Sequence, residues 1–380
     1  MKIFGFLSHL DINLYLFRAP IMKELISRGH KVYAICPQGD KNEALRALGC
    51  EVINYDIERK SLNPFAELQA IENIYKAIKD LNIDILHTFT AKPNIYGTFA
   101  GKRAKIPVIL NLVEGLGSFY TKESFKYKLV RFVMERLYKR AFKFSNGTVF
   151  VNQDDPKYML EKGLIKENQI KIIKSVGIDT DKFSMAHYNE QKLLDIRKTL
   201  HLEDKIVVLM VARAIWDKGI REYYQAAEIL KKSHPNVVFI LVGGTDEGNT
   251  SCVSEAYLKS GAVLWLEYRD DIVDLTAISD IYVLPSYKEG LPVTLLEASA
   301  MAKPIVTTDT TGCRDVVDDG INGFLVPIKD TDILVSKIKT LIKTPQLREE
   351  MGKASRIKVI EEFEVTKVVN QYMEYYETFF

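Results

Sequence analysis

Residues 284–298 read LPSYKEGLPVTLLEA, and this stretch joins the end of a buried strand to a helix through a loop that contains glycine. The apolar run ends at Leu284. Pro292 suits the first helical turn because the N–H that proline lacks would have no partner there. The free N–H groups of that turn and the helix dipole attract an anion. The stretch therefore predicts a strand–loop–helix unit with an anion site.

The same alternation of short apolar runs and helical patterns extends over most of the 380 residues. Buried runs separated by helices predict βαβ units with parallel sheets, and therefore an α/β fold. Seven strands are predicted in the first half, at 3–7, 32–36, 52–54, 83–86, 108–112, 149–151 and 170–173, and six in the second half, at 206–211, 237–242, 263–266, 281–284, 305–307 and 324–326.

A polar stretch near the middle of the chain divides the two series of strands. We predict a first domain at residues 1–175, a linker at 176–203, a second domain at 204–362, and a final helix at 363–380 that packs back on the first domain. Ligands of open α/β sheets bind beyond the carboxyl ends of the strands. The site is therefore expected in the loops of both domains, which would face each other across a cleft.

Composition and charge set the broad class of protein. Hydrophobic residues make up 47% and charged residues 27%, as in ordinary globular domains, and no apolar run approaches the roughly 18 residues of a membrane span. Residues 1–180 hold 28 Lys and Arg against 19 Asp and Glu, and the remainder holds 24 against 31, so the halves are expected to meet different partners. Four widely spaced cysteines predict a reducing compartment and no disulfide framework.

Two carboxylates flank the predicted anion site. Glu289 precedes the helix and Glu297 lies inside it. A carboxylate accepts two hydrogen bonds from a vicinal diol, so this pair suits a ligand with two sugars around a diphosphate. The alternative is that Glu289 only complements the helix dipole and Glu297 is solvated.

Two cations follow the first strand of the second domain, in residues 211–219, VARAIWDKG. Arg213 and Lys218 on one loop can hold a diphosphate and neutralise the charge that develops as it leaves. The alternative is a solvated loop with a surface pair between Asp217 and Lys218.

These two stretches resemble the retaining glycosyltransferases of family four, which have the GT-B fold of two Rossmann-like α/β/α domains. The resemblance lies in Arg-x4-Lys after a strand and Glu-x7-Glu about seventy residues later, and it extends to 175–179, 241–244 and 268–272. A closer resemblance within the family is to the N-acetylgalactosaminyltransferases of bacterial protein N-glycosylation. It is carried by 61–65, 113–120, 173–178 and 286–290.

The resemblance implies roles for the residues of the second domain. Arg213 and Lys218 would bind the UDP diphosphate, Glu297 the ribose hydroxyls, and Glu289 the donor sugar. The other implied donor contacts are Gly243 and Gly244 at a strand end, Tyr268 and Arg269 beside uracil, and the backbone around Gly290, Leu291, Pro292 and Val293.

The activity implied by the resemblance is transfer of N-acetylgalactosamine from UDP-GalNAc, in α1,3 linkage, to undecaprenyl-diphosphate-linked diacetylbacillosamine. No metal cofactor is expected, because the six histidines do not cluster and the Asp-x-Asp at 179–181 is interpreted as a turn with acidic ends. Three alternatives stay open. The first is a transferase for another UDP-hexose or UDP-N-acetylhexosamine in capsule or O-antigen assembly. The second is a sugar-nucleotide epimerase of the same fold, and the third is a sugar-nucleotide binding module without catalysis.

The first domain offers fewer chemical signals. His87 stands where family members often carry His-x-His, but the second histidine is absent, so His87 is a candidate for catalysis or for a structural position. Glu114 is the candidate acceptor-side carboxylate. No nucleophile stands out, which favours front-face attack with the leaving phosphate oxygen taking the proton. His9 and Arg18 are candidates for the acceptor diphosphate, and packing is the alternative for Arg18.

Residues 119–144 combine basic and aromatic side chains with apolar positions at helical spacing. Lys126, Arg131, Lys139 and Arg140 are expected to contact an anionic membrane, at about 1 kcal/mol per basic residue. The alternative is a helix that only covers the sheet. The expected location is peripheral, on the cytoplasmic face of the cell membrane. No nucleic-acid recognition motif accompanies the charges, so no nucleic-acid partner is expected.

Overall fold

A computed structural model describes residues 1–58, 63–117, 120, 124–174 and 177–380, with the side chains of Pro64 and Lys126 left out. The chain divides into two compact units. The first comprises Met1–Gly177 and Val365–Phe380, and the second comprises Ile178–Glu364. Over these described residues, no helix combines the length and apolar character that crossing a membrane requires.

The first unit is a parallel sheet of seven strands. In chain order these are β1 Ile3–Leu7, β2 Lys31–Cys36, β3 Glu51–Asn54, β4 Ile85–Phe89, β5 Val108–Val113, β6 Gly147–Phe150 and β7 Ile170–Ile172. The connecting helices are α1 Asp11–Ser27, α2 Asn42–Ala47, α3 Pro64–Ile78, α4 Thr98–Arg103, α5 Phe125–Ala141 and α6 Asp154–Glu161, with a π-helical turn at Pro93–Gly97 before α4. The strand order across the sheet is β3-β2-β1-β4-β5-β6-β7.

The second unit repeats the plan with six parallel strands. They are β8 Ile206–Val211, β9 Val237–Val242, β10 Val263–Leu266, β11 Ile281–Leu284, β12 Ile305–Thr308 and β13 Gly323–Val326, in the order β10-β9-β8-β11-β12-β13. Its helices are α7 Glu190–Thr199, α8 Ile220–Ser233, α9 Glu255–Leu258, α10 Ile272–Ile278, α11 Val293–Ala300, α12 Cys313–Val316, α13 Thr331–Lys343 and α14 Pro345–Glu362. The predicted α/β class with two parallel sheets is confirmed.

The strand order fixes where each unit can hold a ligand. The chain reverses its direction of travel across the sheet between β1 and β4 in the first unit, and between β8 and β11 in the second. The loops that leave two such strands diverge to opposite faces of the sheet, which opens a crevice at the carboxyl ends. These loops are Ser8–Leu10 and Thr90 in the first unit, and 212–219 and 285–292 in the second.

Residues 178–203, predicted as part of a linker, belong to the second unit. Side-chain hydrogen bonds tie the segment to α10 and to the start of β11: the Tyr188 hydroxyl donates to Asp274 at 2.5 Å, and Arg197 donates to the Ile278 carbonyl at 2.7 Å and to Asp280 at 3.1 Å. Phe183 and Leu202 are buried in the core of the second unit, so the polar segment is held by apolar packing as well as by hydrogen bonds.

The last helix, α15 Val365–Glu377, lies in the first unit and packs against α1. Its Tyr372 and Tyr376 are fully buried there, and Tyr376 contacts the rings of Phe4 and His87. The apolar face of α15 thus completes the core of a sheet whose strands lie more than 190 residues earlier in the chain.

Candidate active site

The crevice of the second sheet brings a predicted cation and a predicted carboxylate together. Lys218 ends a short helical turn after β8, and Glu289 lies in the loop after β11. The Lys218 ammonium is 2.6 Å from a Glu289 carboxylate oxygen, with side chains 20% and 10% exposed. The Tyr287 N–H donates to the Asp217 carbonyl at 2.9 Å and joins the same two loops. Lys218 therefore pairs with Glu289, and not with its neighbour Asp217.

Two glycines allow neighbouring loops to approach the loop after β11 backbone to backbone: Gly219 in the loop after β8 and Gly312 in the loop after β12. Gly219 has φ 75°, and a Cβ there would lie 2.1 Å from the Pro285 carbonyl oxygen. Gly312 has φ 79°, and a Cβ there would lie 2.4 Å from the Gly290 carbonyl oxygen. Any other residue would push the loops apart. Sequence reasoning missed Gly312, whose signal is a glycine four residues after the end of β12.

Helix α11 presents its N-terminus at this crevice. Pro292 occupies the N-cap position, one residue earlier than predicted, and no side chain caps the helix. The first-turn N–H groups of Val293 and Thr294 precede the first intrahelical hydrogen bonds, so they are suited to an anion. The predicted anion site therefore has its backbone component in place.

Glu297 lies on α11, about one turn from its start at Val293. Its side chain is partly buried, and the loss of water around the carboxyl group raises its pKa to about 7, while the charge of Lys182 acts in the opposite direction. Near neutral pH the group is thus poised between its protonated and ionised forms. A ligand that donates hydrogen bonds to it would favour the carboxylate.

Arg213 lies on the same loop as Lys218 but makes a different pair. Its guanidinium is 2.6 Å from the Asp246 carboxylate, and its side chain is 58% exposed. Gly243, at the end of β9, has φ 144°, and a Cβ there would lie 2.0 Å from the Ala212 carbonyl oxygen. The predicted Gly243 thus brings the loop after β9 against the loop of Arg213.

The segment predicted to lie beside uracil follows β10, the neighbour of β9. Tyr268 is 79% exposed, and Arg269 donates to Asp271 at 2.8 Å. That hydrogen bond lowers the pKa of the Asp271 carboxyl below its usual value. The neighbouring Gly243 carbonyl accepts from the Trp265 indole at 2.9 Å, which fixes the strand ends beside this segment.

In the first unit, the crevice between β1 and β4 holds His9. A ring nitrogen of His9 lies 2.5 Å from the Thr90 hydroxyl. Thr90 directly follows β4 and has φ 76°, a conformation that a β-branched residue adopts only under strain. Sequence reasoning missed Thr90, because nothing in its local sequence indicates the unusual backbone.

Arg18 and Glu114 form a pair beneath the same edge of the sheet. Arg18 is wholly buried, bonds to the Glu114 carboxylate and lies 4.7 Å from the centre of the Phe89 ring. Glu114 follows β5, and its side chain is 28% exposed. Because the Arg18 guanidinium has no exposed surface here, it can influence a ligand only through Glu114. The contacts of Arg18 are those expected of a residue with a packing role, the alternative given above.

His87 is completely buried in β4. One ring nitrogen lies 2.7 Å from the Tyr376 hydroxyl, and the ring packs against Phe6 and Phe89. Burial lowers its pKa to about 3, and the charge of Arg18 adds to the effect, so the imidazole is neutral at physiological pH. His87 thus makes the contacts expected of a structural histidine, the alternative to a catalytic role.

Helix α5 carries the predicted membrane residues. Lys139 and Arg140 are exposed, Arg131 is half-buried over the Tyr120 ring, and the side chain of Lys126 lies outside the described part. The exposed face also presents large apolar side chains, namely Phe125 (83% exposed), Leu129 (54%), Phe132 (51%) and Val133 (48%). Phe125 and Phe132 belong to the predicted basic and aromatic pattern, whereas Val133 has the spacing of the apolar stripe. The apolar and basic residues thus share one face.

Across the described ranges, no three His, Cys, Asp or Glu side chains come together in an arrangement that could hold a metal ion. The acidic and basic groups of the second crevice are instead arranged in pairs, Lys218 with Glu289 and Arg213 with Asp246.

Two parallel α/β units, each with a crevice at a reversal in strand order, are the architecture of the GT-B fold. The whole chain superposes on solved structures of that fold. Anabaena HepE in complex with UDP and glucose matches with a TM-score of 0.82 at 19% identity, with 100% of each chain covered. A glycosyltransferase from Rickettsia africae matches with a TM-score of 0.81 at 22% identity, covering 100% of this chain and 98% of that one.

Sequence comparison identifies the family within this fold to which the chain is related. Residues 191–358 match the family described as glycosyl transferases group 1, and residues 6–152 match the glycosyl transferase 4-like family. The chain is 42% identical, over 98% of both chains, to the N,N'-diacetylbacillosaminyl-diphospho-undecaprenol alpha-1,3-N-acetylgalactosaminyltransferase (PglA) of Campylobacter jejuni. It is 25% identical to the UDP-Gal:alpha-D-GlcNAc-diphosphoundecaprenol alpha-1,3-galactosyltransferase of Escherichia coli, over 83% of this chain and 81% of that one.

The chain therefore belongs to the family-four, group 1 glycosyltransferases. The predicted fold, the predicted enzyme class and the resemblance to the N-acetylgalactosaminyltransferases are confirmed.

Proposed function

We propose that this enzyme transfers N-acetylgalactosamine from UDP-GalNAc, with retention and in α1,3 linkage, to undecaprenyl-diphosphate-linked diacetylbacillosamine. The observation that carries the proposal is the 42% identity, over 98% of both chains, to the transferase named for that reaction. The crevice of the second unit supplies the chemistry that such a donor needs, namely two cations, two carboxylates and an uncapped helix N-terminus.

The donor contacts follow from the charges in the second unit. Lys218 and Arg213 bind the diphosphate, and the first-turn N–H groups of α11 add donors without a net charge. Glu289, held by Lys218, accepts hydrogen bonds from the sugar hydroxyls, and Glu297 accepts them from the ribose. Tyr268 and Arg269 lie beside the uracil ring, which the exposed face of Tyr268 suits.

The transfer step needs charge stabilisation more than a base. The bond between the anomeric carbon and the leaving phosphate oxygen breaks, and the acceptor hydroxyl oxygen bonds to that carbon from the same face. The hydroxyl proton passes to the departing phosphate oxygen. Arg213 and Lys218 stabilise the negative charge that accumulates on the diphosphate, and the proposal assigns this task to them without a metal ion.

The acceptor is assigned to the first unit. Glu114 is the carboxylate that faces the acceptor sugar, and Arg18 is a positioning residue that holds it from below. His9 at the strained Thr90 turn is the candidate contact for the acceptor diphosphate. His87 supports this region from the core, through its contacts with Phe89 and Tyr376.

An enzyme with a lipid-linked acceptor must reach the membrane, and α5 provides a surface that can bind it. Its exposed face combines Phe125, Leu129 and Phe132 with Lys139 and Arg140, the composition that docks on an anionic leaflet. We assign the enzyme to a peripheral position on the cytoplasmic face of the cell membrane, with no nucleic-acid partner.

Helix α3 extends that surface. Right-handed crossovers place α3 and α5 on the same face of the sheet, and both contact the turn at Pro93–Gly97. Both helices begin at the carboxyl edge, where Phe65 is 81% and Leu68 64% exposed. The acidic Glu67 between them is 2.7 Å from Lys92, so it does not repel an anionic surface as an isolated charge would.

The test is a panel of UDP-sugars assayed with undecaprenyl-diphosphate-linked diacetylbacillosamine. The proposal expects transfer from UDP-GalNAc in strong preference to UDP-GlcNAc, UDP-Gal and UDP-Glc, and an α1,3-linked product by NMR. Transfer from one of the other sugars alone would assign the enzyme to a different glycan. Conversion of the UDP-sugar to its epimer without acceptor would make it an epimerase.

A further inference from the structure

The loop after β9 is fastened to the loop that carries Arg213. The Ala214 N–H donates to the Gly244 carbonyl at 2.9 Å, the Trp216 N–H to the Ser251 carbonyl at 2.7 Å, and the Val253 N–H to the Ala214 carbonyl at 3.0 Å. These bonds hold the backbones of the two loops in one register. A side chain between Gly244 and Ser251 therefore has a fixed distance to Arg213.

Asp246 is that side chain, and its own position is also fixed. The Asn249 amide donates to its carboxylate at 2.9 Å, and the Asn249 N–H donates to its carbonyl at 3.0 Å. The Asn249 side-chain oxygen in turn accepts the Ser251 N–H at 2.9 Å. The carboxylate is only 20% exposed, and it accepts from one guanidinium nitrogen of Arg213 at 2.6 Å.

The ion pair with Asp246 holds the Arg213 side chain in place but does not use all of its N–H donors. A guanidinium has five N–H donors in a rigid fork, and the contact with Asp246 uses the Nη1 nitrogen. Arg213 is 58% exposed, so without a partner its long side chain would lose rotamer freedom when it bound a ligand. A fixed carboxylate imposes that ordering before the ligand arrives.

We propose that Asp246 is a positioning residue that orients Arg213 toward the donor diphosphate. The inference rests on the proposed function, because it needs Arg213 to bind that diphosphate. Asp246 itself makes no contact with the donor in this account, and its effect passes entirely through the Arg213 guanidinium.

The experiment is a double-mutant cycle on UDP-GalNAc affinity, measured by titration calorimetry, and on kcat and KM of the full-length enzyme. Asp246→Ala is expected to weaken donor binding about tenfold, the size of the rotamer freedom that Arg213 regains. Asp246→Asn keeps an oxygen acceptor and should recover part of the loss. In an Arg213→Ala background, Asp246→Ala should change the affinity less than twofold.

The matched control is Glu255→Ala, which breaks an exposed pair with Lys259 of similar length, 2.7 Å, in the same unit. It should leave the donor affinity unchanged. Tighter donor binding in Asp246→Ala would overturn the proposal, because the carboxylate would then only compete with the diphosphate. An equal loss in the Arg213→Ala background would make Asp246 structural.

The phosphate role of Arg213 and the positioning role of Asp246 can be tested separately. Unchanged donor affinity in Arg213→Ala alone would remove the phosphate role of Arg213 and with it part of the proposed function. A loss in Arg213→Ala that is not reproduced in either Asp246 variant would remove only the role of Asp246.

Discussion

Glu297 shows how burial prepares a single side chain for its ligand. Desolvation raises its pKa to about 7, so the carboxyl group binds a proton more tightly in the folded chain than in the unfolded chain. Its contribution to folding stability is fully present below the ordinary glutamate pKa of about 4.5 and is lost as the pH rises through about 7. Hydrogen bonds from ribose hydroxyls would reverse part of that cost, because they favour the ionised form.

Donor binding should therefore release a proton from Glu297. Calorimetry with UDP-GalNAc at pH 6, in buffers of different ionisation enthalpy, is expected to show release of close to one proton, with little release at pH 8. Affinity should rise with pH up to about 7 and then level off. UDP-GalNAc serves better than UDP, because its diphosphate has no group that titrates near pH 6.

Glu297→Gln is the matched control, since it keeps the shape of the side chain and removes the titration. The variant should bind the donor without proton release and with no pH dependence between 6 and 8. The same proton release in Glu297→Gln would place the titrating group elsewhere and contradict the ribose assignment.

Single residues were predictable where one short stretch carries the chemistry. Lys218 and Glu289 stand out because a cation after β8 and a carboxylate after β11 belong to loops that a parallel sheet brings together. Asp246, Thr90 and Gly312 did not stand out. Their roles depend on which loop packs against them in the folded chain, and the local sequence does not show which loop that is.

At the scale of elements, α5 makes the most direct prediction. Lys139→Glu with Arg140→Glu should lower binding to anionic vesicles at least about 30-fold, since each basic residue near such a surface contributes about 1 kcal/mol. Leu129→Ser with Phe132→Ser should weaken binding to anionic and neutral vesicles alike, because it removes apolar contacts. Co-sedimentation with vesicles measures both.

The control for charge is Lys232→Glu with Lys339→Glu, two exposed positions on α8 and α13 of the second unit. It makes the same change in net charge and should leave vesicle binding unaltered. If the control and the α5 variant lose binding equally, net charge and not the α5 surface governs association with the membrane.

The elements differ in how well periodicity predicted them. Buried parallel strands such as β1, β8, β9 and β11 have the predicted bounds. Such a strand is apolar on both faces, so the apolar run between polar residues marks its two ends directly. The covered face of α5 was harder to predict. Val133 has the spacing of the covered positions but is 48% exposed, since the sheet and its neighbouring helices cover only part of the apolar surface that the helix offers.

For the whole molecule, sequence predicted two α/β units but placed their limits differently. Residues 178–203 belong to the second unit, and the second boundary falls between Glu364 and Val365. Both differences arise from side-chain contacts between segments distant in sequence. Tyr188 and Arg197 hold the first segment through Asp274 and Asp280, and the tyrosines of α15 complete the core of the first unit.

For the whole molecule, we propose that the second unit binds a nucleotide diphosphate with Lys218, Arg213 and the start of α11. The most direct measurement is an experimental structure of the enzyme with UDP. Diphosphate oxygens are expected within hydrogen-bond distance of the Lys218 ammonium and the Arg213 guanidinium. The Val293 and Thr294 N–H groups should also donate to the diphosphate, and the ribose should lie at Glu297. A nucleotide bound away from these groups would contradict the proposal.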